Sequence, residues 1–359
     1  MFNFFRKTNS KSDLLGPAQR VMSGSISVDF DFTSYAEHNI FNELSQSSDY
    51  GFYYWPYGYL FRHVKWGGVN SLGFRIDTEL EDISAAYRDV FRIAFFGGST
   101  GFDVLVPKED TLVYKLEKIL NEDEELCERI GKNIKIFNLS QPGNLVLNQI
   151  SNFVQFGHLI DPHLVICHSA ANDLCTMQMN DPVLVNSYCI GYPDVLEAWG
   201  KKIHNAENVD IDYQYSDHNQ PNFRPAKDRV SPSSIIDAYT FRVHQFNRLA
   251  KSLDVETFIA GFQPWITSKA KLSEPEQKRR GSYNPYYQTI YKNVEHLYQN
   301  FSDEILRKLE PMNVANLHSH FTALSPDIDH FGDTHHLLRE GNYEAACCYH
   351  KAARTILLK

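Results

Sequence analysis

FRIAFFGGSTGFD, residues 91–103, is the stretch whose reading decides the fold. Its first six residues are nearly all apolar and have the length of a strand. A strand buried on both faces reads as a continuous apolar run, which is the habit of parallel sheets covered by helices. The run stops at Gly97 and Gly98, then Ser99, Thr100 and Gly101 follow. A chain that ends a buried strand on Gly-Gly-Ser-Thr-Gly is making a tight turn, and the turn needs a purpose.

Downstream the same alternation repeats. Apolar runs at 133–139, 163–170, 255–262 and 314–318 are separated by segments of helical periodicity near 110–121, 144–157, 235–252 and 283–309. A last helix is expected at 339–357. Strands alternating with helices, joined by right-handed crossovers, predict a doubly wound, three-layer α/β/α domain with a five-stranded parallel sheet. Two segments break the rhythm. Residues 1–75 are rich in aromatics and glycine and read as an N-terminal extension packed on the domain formed by 76–359. Residues 176–232 are polar and carry prolines. This insertion leaves the carboxyl end of the third strand, where open α/β sheets bind ligands, so it reads as a cap over the site.

Bulk properties narrow the function. The chain has 359 residues, 43% of them hydrophobic, and a formal net charge of −9. A global basic field is absent, so a nucleic-acid partner is not expected. Cys127, Cys167, Cys175, Cys189, Cys347 and Cys348 form neither a CxxC pair nor a zinc-ligand spacing. They read as free thiols in a reducing, cytoplasmic setting. No secretory signal and no membrane-spanning run is evident. The start, MFNFFRKTNSKSD, reads as unstructured, with weak membrane docking by Phe2, Phe4 and Phe5 as the lesser alternative. Nothing in the sequence sets the oligomeric state.

Three readings of the glycine turn compete. A phosphate cradle of Walker type needs a lysine that is missing, and the glycines have the wrong spacing for a dinucleotide fingerprint. Gly97 to Gly101 satisfies Gly-x-Ser-x-Gly, a nucleophile turn, although here the serine follows the first evident strand of the sheet. The third reading is a turn whose serine caps the next helix. A second cluster bears on the choice. FGDTHHLLREGN, residues 331–342, sets Asp333 and His336 three residues apart before a helix. Serine needs a base to take its proton, and an imidazole serves best when a carboxylate fixes its tautomer. His335 competes with His336. His318, His320, His330, His335 and His336 with Asp333 could also suggest a metal, but no His-Glu-x-x-His helix is present, and His318 and His320 read as lining a strand end. An ester-cleaving serine also needs donors for a developing oxyanion. NLSQPG (138–143) ends with Gly143 at a helix start, and AAND (170–173) offers the Asn172 amide. Both follow strands.

Together, GGST (97–100), QPG (141–143), AND (171–173) and DTHHL (333–337) with REGN (339–342) resemble, in this order, the SGNH hydrolase superfamily of GDSL-type esterases. The resemblance runs over 91–175 and 255–357. NSLGFR (70–75) and FQPWITSKAKLSEPE (262–276) also look like segments of bacterial members. Two positions depart: Gly98 stands where the aspartate of the GDSL name would be, and Ala170 replaces a glycine two residues before Asn172. The resemblance implies a flavodoxin-like α/β/α domain, with Ser99 as nucleophile, His336 as general base and acid, and Asp333 as its orienting carboxylate. The Ser99 and Gly143 N–H groups and Asn172 would form the oxyanion hole, with no metal or organic cofactor. The expected substrate is a small-molecule or glycan ester, foremost an O-acetyl group on a carbohydrate, with Gln263 and Trp265 expected on the pocket wall. Acyl transfer by the same residues and a non-catalytic binding module are the rival readings.

Overall fold

Five apolar runs become the five strands of one parallel sheet. The computed structural model describes residues 51–55, 58–62, 69–70, 72–103, 105–178, 231–281 and 285–359. Ahead of the sheet, β1 (Gly51–Trp55) and β2 (Gly58–Arg62) pair antiparallel as a hairpin within the expected N-terminal extension. The sheet itself comprises β3 (Phe91–Phe96), β4 (Ile134–Asn138), β5 (Leu164–Ser169), β6 (Thr257–Phe262) and β7 (Asn313–Asn316). Its spatial order is β4-β3-β5-β6-β7, and every neighbouring pair is parallel. Counted from β3, this is the 2-1-3-4-5 order of flavodoxin-like sheets. The order of strand addition reverses between β3 and β5, so the crevice outside their carboxyl ends is where a ligand site belongs.

Eleven helices run in chain order among the described residues: α1 (Leu80–Ala86), α2 (Ser99–Phe102), α3 (Leu112–Glu122), α4 (Glu124–Ile130), α5 (Val146–Ile160), α6 (Ala171–Thr176), α7 (Pro232–Ser252), α8 (Glu274–Gly281), α9 (Pro285–Leu309), α10 (Leu317–Thr322) and α11 (Arg339–Leu357). Their apolar spacing puts one stripe on the sheet. In α3, Leu112, Leu116 and Leu120 are buried at every fourth position, and the Thr111 hydroxyl caps the start by accepting from Tyr114 N–H. In α7, Ser231 caps, Pro232 takes the first turn, and Ile236, Tyr239, Val243, Phe246 and Ala250 face inward. One layer is built around α3 and α11, the other around α5, α7 and α9. Alanines 345, 346 and 353 are the small buried residues of α11.

One detail differs from the sequence reading. The fifth strand stops at Asn316, whose side chain accepts from Ser319 N–H and starts α10. His318 and His320 therefore lie on a helix, not a strand end. At the end of the expected extension, Phe74 is wholly buried in the core, and Arg75 is bound to the turn after β3. Most of the expected cap lies outside the described residues, as does the N-terminal stretch 1–50. The described cysteines, Cys127, Cys167, Cys175, Cys347 and Cys348, are free thiols. Among the described residues no helix is long and apolar enough to cross a membrane.

Candidate active site

The glycine turn forms where β3 ends. Gly98, in extended conformation, precedes the single-turn helix α2, and Ser99 is its first residue. Asp103 ends that turn in the left-handed region at φ 61°. The Arg75 guanidinium closes the turn from below. It donates to the carbonyls of Phe102 (2.6 Å), Val106 (2.8 Å) and Asp103. Asn138 at the end of β4 adds a bond from its amide to Gly101 O at 2.8 Å.

Close approach explains the glycines. A Cβ on Gly101 would lie 2.6 Å from Ser140 Oγ, and one on Gly98 would collide with the Asn172 side-chain amide. Gly98 is thus the position at which the third strand's asparagine reaches the serine turn. An aspartate there would displace Asn172.

The partner loop is a narrow turn. Phe331 bridges Leu337, Gly332 N–H donates to His336 O (2.9 Å) and Leu338 N–H to His330 O (2.8 Å). Its tip is tied to the end of β6 by Ile266 N–H donating to Thr334 O at 2.7 Å. This geometry carries His336 across 237 positions of sequence to Ser99, with Nε2 and Oγ 2.7 Å apart. On the other side of the ring, Nδ1 lies 2.6 Å from Asp333 Oδ2. Asp333 Oδ1 accepts the backbone N–H groups of His335 (2.9 Å) and His336 (2.8 Å).

Burial by itself would raise the Asp333 pKa. The adjacent His336 and His335 rings and the hydrogen bonds outweigh it and hold the carboxyl well below the usual range. An ionised Asp333 can only accept, so the shared proton sits on His336 Nδ1. In the neutral ring Nε2 is then the lone pair facing Ser99 O–H.

His335 is placed otherwise. Its ring stacks on Trp265, centroids 5.2 Å apart and planes 8° apart, and its Nδ1 pairs with Thr334 Oγ1 at 2.8 Å. Burial, helped by the neighbouring His336, pushes its pKa down to about 3. It is a neutral packing residue.

The oxyanion candidates gather at the same strand ends. Gln141-Pro142-Gly143-Asn144 closes by Asn144 N–H to Gln141 O at 3.1 Å, with Gly143 at φ 78°. Proline second and a left-handed glycine third are what a type II turn requires. The Asn172 side-chain amide donates to Asn144 O at 3.1 Å, which joins this turn to α6 beside Gly98. Among the described residues neither Ser99 N–H nor Gly143 N–H is spent on a protein acceptor. Ala170 takes φ 129°, a conformation natural to glycine and strained for alanine. Its departure from the motif is therefore absorbed as backbone strain.

Gln263 and Trp265, expected on the pocket wall, are both buried, as Ser99 and His336 are. Gln263 clamps the turns together: its amide donates to Thr100 Oγ1 (2.5 Å), and its carbonyl oxygen accepts from Ala171 N–H (3.1 Å). Trp265 packs among His335, Tyr298 and Tyr291. The physical reason is topological: both follow directly on β6, beneath the loop that delivers His336.

The histidines weighed as metal ligands are also dispersed. His318 bonds Ser268, His320 bonds Glu344, and His330 accepts from Lys269. Only the ligand atoms of Asp333, His335 and His336 come within 4.8 Å of one another among the described residues. Asp333 and His336 already spend theirs on each other and on Ser99.

Supporting residues escaped the sequence reading. Arg75 sat inside a noticed motif, but only the fold shows its target. Asp173 accepts from Val146 N–H (3.1 Å) at the first turn of α5 and so fixes the start of the helix after the Gly143 turn. Burial pushes its pKa up to about 7 despite the nearby Arg242. An Asn-Asp pair after an apolar run was the available signal.

No protein-family model and no curated protein matches the sequence. Solved structures do overlap with the fold. A protein from Parabacteroides merdae described as a GDSL-like lipase is 14% identical, with a TM-score of 0.39 over 74% of this chain and 95% of its own. An acetylxylan esterase from Geobacillus stearothermophilus is 14% identical, with a TM-score of 0.40 over 74% and 94%. An α/β hydrolase enzyme from the metagenome of Lake Arreo is 13% identical, with a TM-score of 0.38 over 73% and 94%. Overlaps of this size assign no activity.

Proposed function

We propose that this chain is a serine ester hydrolase of SGNH type. One observation carries the reading: the unbroken relay from Ser99 Oγ through His336 to Asp333, with contacts of 2.7 and 2.6 Å. Ser99 Oγ attacks the ester carbonyl carbon while His336 Nε2 takes its proton. Asp333 holds Nδ1–H and stabilises the imidazolium that forms. The tetrahedral oxyanion is held by Ser99 N–H, Gly143 N–H and the Asn172 amide, each donor worth about 10²–10³ in rate. Collapse breaks the ester C–O bond, and His336 returns the proton to the departing alkoxide. Water then attacks the acyl-serine with His336 again as base, which releases the acid and restores the serine. No step needs a metal or a cofactor.

The finer reading is an O-acetyl ester on a carbohydrate. It rests on the motif resemblance. Purified protein should hydrolyse p-nitrophenyl acetate, and Ser99→Ala or His336→Ala should each lose at least about 10³ of the rate. A fluorophosphonate should label Ser99. Wild-type rates in both variants would refute the assignment. Acetate release from an acetylated sugar, with and without a second sugar as acceptor, separates hydrolysis from acyl transfer.

A further inference from the structure

Behind the loop that carries Asp333 and His336 lies an ion pair with no part in the chemistry above. The side chains of Lys269 and Glu276 are both 0% exposed, and Lys269 Nζ stands 2.7 Å from Glu276 Oε2. Glu276 Oε1 accepts two consecutive backbone N–H groups, those of His330 (2.8 Å) and Phe331 (3.2 Å). Its Oε2 also accepts from Ser273 N–H at 2.8 Å. Lys269 Nζ donates in addition to Ile328 O (2.9 Å) and to His330 Nδ1 (3.1 Å). Arg279 adds a bond to Phe331 O at 2.6 Å. Five of these contacts, from Lys269, Glu276 and Arg279, converge on residues 328–331, the base of the narrow turn, and Asp333 follows two residues after Phe331.

A buried ion pair is weak grounds for a stabilising role, because an apolar pair of similar volume often serves stability as well. Its distinctive product here is direction. A carboxylate fixed by a lysine aims two adjacent N–H groups of the loop, and no apolar pair can do that. The requirement on the other side is strict: Ser99 and His336 reach each other from separate elements, and a misplacement of about 1 Å can cost about 10²-fold in rate.

We propose that Lys269 and Glu276 are positioning residues for the Ser99–His336–Asp333 relay, setting the register of the loop from its base. The proposal rests on the esterase reading. It also gives a purpose to SKAKLSEPE (268–276), a segment noticed in the sequence without a role.

Two double variants test it: Lys269→Met with Glu276→Leu, and Lys269→Met with Glu276→Gln. The first removes the charges and the loop's acceptor. The second removes the charges but returns one carbonyl oxygen to the loop N–H groups. Each is assayed at a temperature where circular dichroism shows it folded. Turnover is counted per fluorophosphonate-titratable Ser99, and the proton on His336 Nδ1 is followed by NMR. The expected result for Met/Leu is a fall of about 10² in kcat and in Ser99 phosphonylation rate, unchanged KM, and a broadened Nδ1 proton signal. Met/Gln should regain about tenfold of that loss and remain about tenfold below wild type. A pair of merely structural value would lower Tm and leave turnover per folded molecule alone. Met/Leu within threefold of wild type overturns the proposal, and so does Met/Gln at the wild-type rate if Met/Leu does not fold. Failure of the reagent to label Ser99 in the wild type overturns the esterase reading and this proposal together. Labelling in the wild type with equal rates in the variants overturns the proposal alone.

Discussion

Asp333→Asn tests the relay where its proton is held. The carboxylate gives Oδ2 to His336 Nδ1 at 2.6 Å and Oδ1 to two backbone N–H groups at 2.9 and 2.8 Å. Asparagine has only one acceptor oxygen to divide between these demands. Turning its NH₂ toward the two backbone donors would forfeit both bonds, at about 1–3 kcal/mol for each donor left unsatisfied. The oxygen therefore stays with the backbone, and the NH₂ faces His336. Nδ1 must then accept, the ring proton moves to Nε2, and the ring can no longer take the proton of Ser99. A wrong tautomer of this kind costs about 10⁴ in kcat. At 1.36 kcal/mol per decade that is about 5 kcal/mol of transition-state stabilisation. Tm should fall near neutral pH, where the carboxylate held below its usual range contributes stability that asparagine lacks, while the loop keeps its two backbone bonds. The assay is steady-state hydrolysis of p-nitrophenyl acetate beside a thermal melt. A folded Asp333→Asn protein within tenfold of wild-type kcat would refute the tautomer argument and the role of Asp333 with it.

Three further outcomes follow from particular residues. Burial raises Asp173 from 3.8 to about 7, so the folded state binds its proton more tightly than the unfolded chain does. Its contribution is full below pH 4 and is lost as pH rises toward 7, by about 4 kcal/mol at most. Wild-type Tm should thus fall between pH 5 and pH 8, and Asp173→Asn should flatten that slope; an unchanged slope counts against a buried neutral carboxyl. Gly98→Ala would push a methyl into the Asn172 amide. A loss of about 10²-fold in kcat with little change in KM is expected, since one oxyanion donor moves away, and full activity would remove Asn172 from the oxyanion hole. Ala170→Gly relieves a backbone held at φ 129°. Relief of about 1–3 kcal/mol exceeds the entropy penalty of glycine, about 0.4–1 kcal/mol, so Tm should rise by a few degrees. A lower Tm would show that the strain is not carried there.

Much of this protein was legible in its sequence, for a reason that is local. Strands buried on both faces must be apolar throughout, so 91–96 and 164–169 announced themselves, and the 3.6-residue spacing of buried positions announced α3, α7 and α11. A glycine at a helix start marked Gly143, and the placing of Ser99, Asn172 and Asp333–His336 after strands or before a helix put them at one end of the sheet. Pairing order, depth and partner choice were not local and could not be read. Trp265 reads equally well as a sugar platform or as core, and only the tertiary packing of α9 and of the His336 loop around it buries it. Gln263 reads as a substrate contact until Thr100 and Ala171 are brought to it by the sheet. Lys269 and Glu276 carry charges that composition assigns to the surface, and tertiary packing alone took them out of water and aimed them at the base of the His336 loop. Residue chemistry and local periodicity set which groups were available, whereas long-range closure set which of them met, because a hydrogen bond spanning 237 residues is fixed by the register of the sheet and by nothing near either partner in the chain.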